Sequence, residues 1–321
     1  MAVYTTVTDE ALAAYLADYE LGEAVAFKGI AEGVENSNFY LETTTGRYIL
    51  TLFEKRAKAS DIPYFIALKR HLADKKFPCP LPIDGKDGIA LRSLAGRPSV
   101  IVTFLPGLSP RNPSPDQCYE IGRNLARMHL LSSDFKPKRD NDLGPKSWHN
   151  LWTACAKHTD RLRSGTAASI DQDLSRLDQL DDQLKALPQG TIHADLFPDN
   201  TFFLDQKFTG AIDFYFACTG ALAYDLAICL NAWTFELNGA FNKSKASQLF
   251  NGYETIRRLT QIERNAFPEL CLGAAMRFFL TRLVDLTETP NDALVKPKDP
   301  LDFARRLDFH RTVSTIRDYY S

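Results

Sequence analysis

The chain lacks most of the features that would sort it quickly. Its six cysteines (Cys79, Cys118, Cys155, Cys218, Cys229 and Cys271) include no C-x-x-C pair. Such spacing offers neither a metal nor a disulfide framework and points to reduced, buried thiols. No segment approaches the roughly 18 uninterrupted apolar residues of a membrane-crossing helix. The opening MAVYTTVTDEALAAYLADYEL has no basic stretch leading through an apolar run to a cleavage site. A cytoplasmic location without a membrane partner is the expectation. Net charge is nearly absent too: 38 basic against 40 acidic residues leave −2, which removes the electrostatic argument for binding nucleic acid. There is no internal repeat and no low-complexity tract. What remains is a globular composition, long enough at 321 residues for two domains or one two-lobed domain.

Local signals divide the chain near Ser109. In Val7-Thr8-Asp9-Glu10, Thr8 is a helix N-cap, the acids suit the positive helix end and Val7 is placed to staple onto Leu12. Strand-like segments follow near 25–30, 36–42 and 47–53, then a helix at about 61–76 and strands at roughly 81–83, 88–93 and 99–104. Residues 1–105 thus read as a mainly antiparallel sheet carrying a helix, an α+β arrangement. Beyond the proline-rich SPRNPSP, helical periodicity dominates 106–321. Ser114-Pro115-Asp116-Gln117 and Thr260-x-x-Glu263 are start signals, and further helices are expected at 147–160, 171–186, 221–237, 243–258, 260–287 and 300–319. Strand character returns only around 201–204 and 208–213.

Chemistry concentrates in IHADLFPDN, residues 192–200. His193-x-Asp195, then Asn200 and, within AIDF, Asp213 supply one candidate base and two oxygen donors. Magnesium takes such hard oxygen ligands. Phosphoryl transfer needs a positioned nucleophile, metal ions bridging the phosphates and little covalent chemistry. Asp195 is therefore the candidate acceptor of a hydroxyl proton, and Asn200 and Asp213 are candidate metal ligands. An ordinary Asx turn explains each residue separately but not their joint spacing. Asp199 is read as a turn residue. The remaining histidines have no ligand-like spacing, which argues against a metal hydrolase.

The spacing H-x-D-x-x-x-x-N, with Asp213-Phe214 at the place of D-F-G, resembles the catalytic loop of protein-kinase-like enzymes. The forms H-x-D-L-x-P-x-N and I-D-F are similar to the aminoglycoside phosphotransferase-like branch, which phosphorylates small molecules. The resemblance implies a two-lobed protein-kinase-like fold, with an N-terminal antiparallel sheet lobe for the nucleotide and a larger helical C-terminal lobe for catalysis and substrate. It also implies ATP and Mg2+, and gives His193 a loop-organising role. Gly33-Val34-Glu35-Asn36-Ser37-Asn38-Phe39 matches that branch's loop between the first two strands and makes Gly33, Asn36 and Asn38 nucleotide candidates. RPSVIVTFLPG, as connector, places Thr103, Phe104 and Leu105 along adenine. One departure stands out: Thr51 of YILTLF occupies the usual lysine slot, and Tyr64 or Phe65 the place of its glutamate partner. Arg47, which shares a strand face with Ile49 and Thr51, and Lys28 are the candidate replacements.

Over most of its length, through GVENSNFYLETTTGRYILTLFE, VTFLPG, HADLFPDNTFF, AIDFYFACTGALAYDLAICLNAW and AMRFFLTRL, the chain resembles bacterial homoserine kinases of this type, threonine in the lysine slot included. The resemblance implies ATP-dependent phosphorylation of the L-homoserine side-chain hydroxyl in threonine biosynthesis, with a small molecule as partner. Candidate substrate contacts are Asn231 and Trp233, with Arg277 or Arg282 as a bidentate carboxylate fork. Two alternatives stay open: another small-molecule kinase of this fold, acting on choline, methylthioribose or an aminoglycoside, and a catalytically silent nucleotide-binding module. Oligomeric state is not legible.

Overall fold

Thr8 accepts the Ala11 N–H at 3.2 Å and starts helix α1 (Asp9–Leu16). Five strands follow in the computed structural model, which describes residues 4–30, 36–54, 58–289 and 297–320. They are β1 (Ala24–Gly29), β2 (Asn36–Thr43) and β3 (Gly46–Phe53), then β4 (Arg92–Leu94) and β5 (Arg97–Thr103), with helix α2 (Ile62–Asp74) between β3 and β4. The sheet is antiparallel throughout, in the order β1-β2-β3-β5-β4. Side chains alternate across it. Leu50, Leu52 and Ile101 pack with Leu12, Tyr15 and Leu16 of α1, while Phe53, Val100 and Val102 pack with Ile62 and Ile66 of α2. Both faces are therefore covered, and the register sets Asn38 opposite Thr51.

The strands expected at 81–83 and 88–93 are largely not there. Pro80 and Pro82 lack the N–H a ladder needs, so only an isolated bridge, Pro82 to Val102, remains of the first. The second begins at Arg92.

The rest is mostly helical: α3 (Pro115–Leu131), α4 (Trp148–Cys155), α5 (Thr159–Leu162), α6 (Thr166–Arg176), α7 (Leu180–Ala186), α8 (Leu222–Trp233), α9 (Lys243–Glu254), α10 (Gln261–Glu288) and α11 (Leu301–Arg311). Both expected capping boxes are present, Ser114 with Gln117 and Thr260 with Glu263. The helix expected over 171–186 is two helices, and that over 300–319 is α11 followed by a single 3-10 turn at Ile316–Tyr319. Helices α3 and α9 touch backbone to backbone. A Cβ at Gly122 would collide with the Leu249 carbonyl, and one at Gly252 with that of Tyr119. Short strands β6 (Gln189–Ile192), β7 (Thr201–Leu204), β8 (Lys207–Ala211) and β9 (Cys218–Ala221) frame the 192–213 region, β6 pairing with β9 and β7 with β8. The β6–β9 pair was not expected.

The chain forms two compact units. Among the described residues, one contains those up to Pro106 together with Gly210–Tyr215, and the other contains Gly107–Thr209 and those from Phe216 onward. A single division at 105/106 therefore misses a return of the chain: the AIDF segment, Asp213 included, belongs to the sheet-bearing unit. All six cysteines are free and buried.

Candidate active site

Strand β6 delivers His193, and the chain then turns through Ala194 in the left-handed region, φ 63°. The turn is built on a carboxylate. Asp225, in the first turn of α8, accepts the His193 N–H at 2.7 Å and the Ala194 N–H at 2.8 Å. His129 Nε2 lies 3.1 Å from the same Asp225 Oδ2, and its Nδ1 lies 3.0 Å from the Tyr253 hydroxyl. Tyr253 in turn accepts from Arg257, which donates to the capping glutamate Glu263. Arg257 can only donate, so the Tyr253 proton is available to His129 Nδ1 and the His129 Nε2–H points at Asp225. Asp225 is wholly buried. Burial alone would raise its pKa, yet the bonds from His129 and the His193 backbone hold the carboxyl below the usual aspartate range.

The loop's carbonyls are also taken. Arg277 Nη1 donates to Ala194 O. Asn200 Nδ2 donates to Asp195 O at 2.8 Å, and Phe197 N–H to the same oxygen at 2.9 Å. Trp233 Nε1 donates to Leu196 O at 2.8 Å, the Asn200 N–H to Phe197 O, and Thr201 Oγ1 to Pro198 O. Asn200 Nδ2 further reaches Asp195 Oδ2 at 3.0 Å, so the candidate base is oriented by the candidate metal ligand. Among the described residues no donor reaches Asn200 Oδ1, the hard oxygen a magnesium ion would use. No group of three or more His, Cys, Asp or Glu side chains suited to a metal occurs among the described residues.

The proposed substrate contacts need correction. Asn231 is fully buried: its amide donates to Ala227 O and Cys271 O, each at 3.0 Å, and its Oδ1 faces His310 Nε2 at 2.9 Å. It is an internal strut joining α8, α10 and α11, with no group left for a ligand. Trp233, also fully buried, supports the catalytic loop from beneath. Arg277 lies under the same loop, its guanidinium 4.4 Å from the Phe278 ring centre and its Nε without a hydrogen-bond partner among the described residues. It is not presented as a fork. Arg282 is the exception: its Nη1 donates to Asp299 O and Asp302, and its guanidinium lies 4.6 Å over Phe303. Burial lowers its pKa, against the fields of Asp302, Asp199 and Asp195. Arg306 lies 4.2 Å over the same Phe303, and its buried Nη1 has no hydrogen-bond partner among the described residues. Burial, then the charge of Arg282, bring its pKa down to about 10.

Gly33 lies outside the described residues. Asn36 is buried, its Oδ1 without a hydrogen-bond partner among the described residues, and Asn38 accepts from Thr51 Oγ1 at 2.8 Å. Ile49 packs beside Phe53 and Val102. Thr103 Oγ1 accepts from the Leu81 N–H, the Phe104 ring stands edge-on to Tyr40, and Leu105 is half-buried. Neither proposed replacement cation is turned inward: Lys28 is exposed, and Arg47, 62% exposed, pairs loosely with Glu42 at 3.7 Å. Three contributors escaped the sequence reading: Asp225, Lys69 and Arg306. Lys69 carried a signal, since it stands at core spacing with Ile62, Phe65, Ile66 and Leu72 on α2.

Comparison with known proteins identifies the family. Residues 26–259 match the model of the phosphotransferase enzyme family. A homoserine kinase of Hyphomonas neptunium is 58% identical, with 99% of each chain covered, and one of Xanthobacter autotrophicus is 50% identical, again over 99% of each. Among solved structures, an amicoumacin kinase in complex with AMP-PNP and Ca2+ superposes with a TM-score of 0.70 at 18% identity, covering 94% of this chain and 91% of its own. A spectinomycin phosphotransferase gives 0.66 at 13% identity, covering 97% and 96%. With a family model spanning most of the sequence and relatives this similar from end to end, the chain belongs to the phosphotransferase enzyme family, alongside those homoserine kinases.

Proposed function

We propose that the chain is an ATP-dependent homoserine kinase, transferring the γ-phosphoryl group of MgATP to the side-chain hydroxyl of L-homoserine to give O-phospho-L-homoserine and ADP. The observation that carries the chemistry is the Asp195 carboxylate, fixed by Asn200 on a loop whose amides and carbonyls are nearly all bonded; the end-to-end similarity to homoserine kinases carries the substrate. Asp195 orients the acceptor hydroxyl and takes its proton as the bond to phosphorus forms. Asn200 and Asp213 would hold Mg2+, which supplies charge neutralisation on the phosphates. Asn36, Asn38, Ile49, Thr103, Phe104 and Leu105 are the residues assigned to the nucleotide. The reading places the enzyme in threonine biosynthesis, in the cytoplasm; among the described residues no helix is long and apolar enough to cross a membrane.

Two guanidiniums over one phenyl ring, one with a buried N–H that has no partner among the described residues, call for an anion. The α-carboxylate of L-homoserine supplies it, and choline, a quaternary cation, does not. Phe303 also packs against Phe197 of the catalytic loop, with ring centres 6.3 Å apart, so Arg282 and Arg306 hold the carboxylate within one aromatic layer of that loop. Arg306→Met is expected to raise the KM for L-homoserine by about tenfold or more, the worth of one charge-assisted bond, with the KM for MgATP unchanged. In the same variant the preference for L-homoserine over 3-aminopropanol, which lacks the carboxylate, should shrink. Coupled-assay kinetics with both acceptors decide this, and an undiminished preference rejects the assignment.

ADP release across L-homoserine, L-serine, choline, methylthioribose and an aminoglycoside tests the whole reading. Turnover on L-homoserine alone supports it. Turnover on another alcohol keeps the kinase chemistry and discards the substrate.

A further inference from the structure

Helix α2 buries a charge where its pattern calls for an aliphatic side chain. Lys69 is 4% exposed, between Ile66 and Leu72 on the core stripe, and is the only buried Lys or Arg of the sheet-bearing unit among the described residues. Its Nζ has neither a salt bridge nor a hydrogen bond among the described residues. It lies over the Tyr215 ring, 5.3 Å from Nζ to its centre. That ring is itself boxed by Phe53 and Phe65, with centres 5.0 and 5.6 Å away. The Tyr215 hydroxyl bonds to Thr51, and Thr51 to Asn38, so the helix lysine stands behind the very strand position where a lysine is missing. Burial lowers the Lys69 pKa to about 8, with the thiol of Cys79 and the carboxylate of Asp213 acting in the opposite direction.

A lone buried ammonium is costly and persists where a counter-charge arrives with a ligand. Asp213 carries one negative charge into its field, and a nucleotide carries several. Resting on the kinase reading above, we infer that Lys69 is the cation of the nucleotide site, moved from strand β3 to helix α2, where it stands behind Tyr215 in the field of Asp213 and would meet the phosphate oxygens of a bound nucleotide. The exchange is consistent on both elements: the strand gave up its lysine for Thr51, and the helix carries a cation in the region where a glutamate partner was expected. Thr51 and Asn38 then fill the vacated space with a neutral hydrogen bond. Ammonium hydrogen bonds to phosphate form only when nucleotide is bound, which is how a buried lysine without a partner is retained.

The test uses the full chain and two variants. Lys69→Met removes the charge and keeps an apolar stem of similar length, so the ligand-free Tm should hold or rise. The KM for MgATP should increase at least about tenfold, the loss of one charge-assisted bond, and the KM for L-homoserine should stay near wild type. The upward Tm shift given by MgADP or AMP-PNP should shrink in parallel. Thr51→Lys/Lys69→Glu puts a lysine back in the strand slot with an acid on α2, about one turn beyond the place expected for its partner, and should recover nucleotide binding relative to Lys69→Met. A Lys69→Met protein with wild-type KM for MgATP and a wild-type nucleotide shift overturns the assignment. So does a lowered ligand-free Tm with both KM values raised alike, which marks a purely structural lysine, and so does a folded double variant that binds nucleotide no better than Lys69→Met. Wild-type protein that gains no stability from any nucleotide brings down the kinase reading itself, a result separable from failure of the Lys69 assignment alone.

Discussion

Asp195→Asn is expected to lower kcat with L-homoserine by about 10²–10⁴, the usual contribution of a positioned general base, while the stabilisation given by MgADP stays near wild type. The substitution is close to isosteric. The amide oxygen can still accept from Asn200 Nδ2, now 3.0 Å from Asp195 Oδ2, and the main-chain bonds at 194–198 do not involve this side chain. What is lost is the negative charge that draws the hydroxyl proton. Steady-state ADP release and a nucleotide thermal shift on the same preparation separate the two effects. Turnover within a few-fold of wild type would sink the assignment of Asp195 as base.

The second large effect is on the fold of the loop. Asp225→Ala strips the acceptor from the His193 N–H, the Ala194 N–H and His129 Nε2, all in a region closed to solvent. Breaking such a buried charge network costs about 3–5 kcal/mol, and activity should fall with the Tm. Asp225→Asn is milder in shape and more informative in pH. The folded carboxyl titrates below its unfolded value, which for an aspartate is about 3.9. Its stabilisation is therefore fully present above that value and is lost as pH falls through the lower, folded one. The Tm gap between wild type and Asp225→Asn should be constant above about pH 5 and narrow below about pH 4. Calorimetry from pH 3 to 7 measures it, and a gap that widens with acid contradicts the role given to Asp225.

Much of this architecture was legible because its signals are local. His193, Asp195, Asn200 and Asp213 lie within about one supersecondary unit, and their spacing suggests the proposed chemistry without tertiary information. The capping boxes at Ser114 and Thr260 and the strands around Thr51 are likewise short-range devices. What was not legible comes from afar. Asp225 looks like a stray acid in an apolar helix until α8 is seen to aim it at His193, 32 residues back. Asn231 and Trp233 lie on that same helix, and polar groups in an apolar stretch read equally well as ligand contacts or as struts; burial decides for struts. Lys69 was masked by Arg70 beside it, since a Lys-Arg pair reads as solvated surface, although only Arg70 reaches the surface and an aspartate there, Asp84.

The six unpaired thiols give this enzyme an internal clock. Burial raises the pKa of Cys155 to about 11 and of Cys79, Cys118 and Cys218 to about 12, and it lifts Cys229 and Cys271 as well. Thiolate is the reactive form, so alkylation waits on local opening and its rate counts those openings. Cys79 donates to the Lys69 carbonyl and Cys229 to the Leu196 carbonyl beneath the catalytic loop. Mass spectrometry of timed iodoacetamide labelling would thus follow α2 breathing through one sulfur and loop lifting through another, with no probe added to the protein.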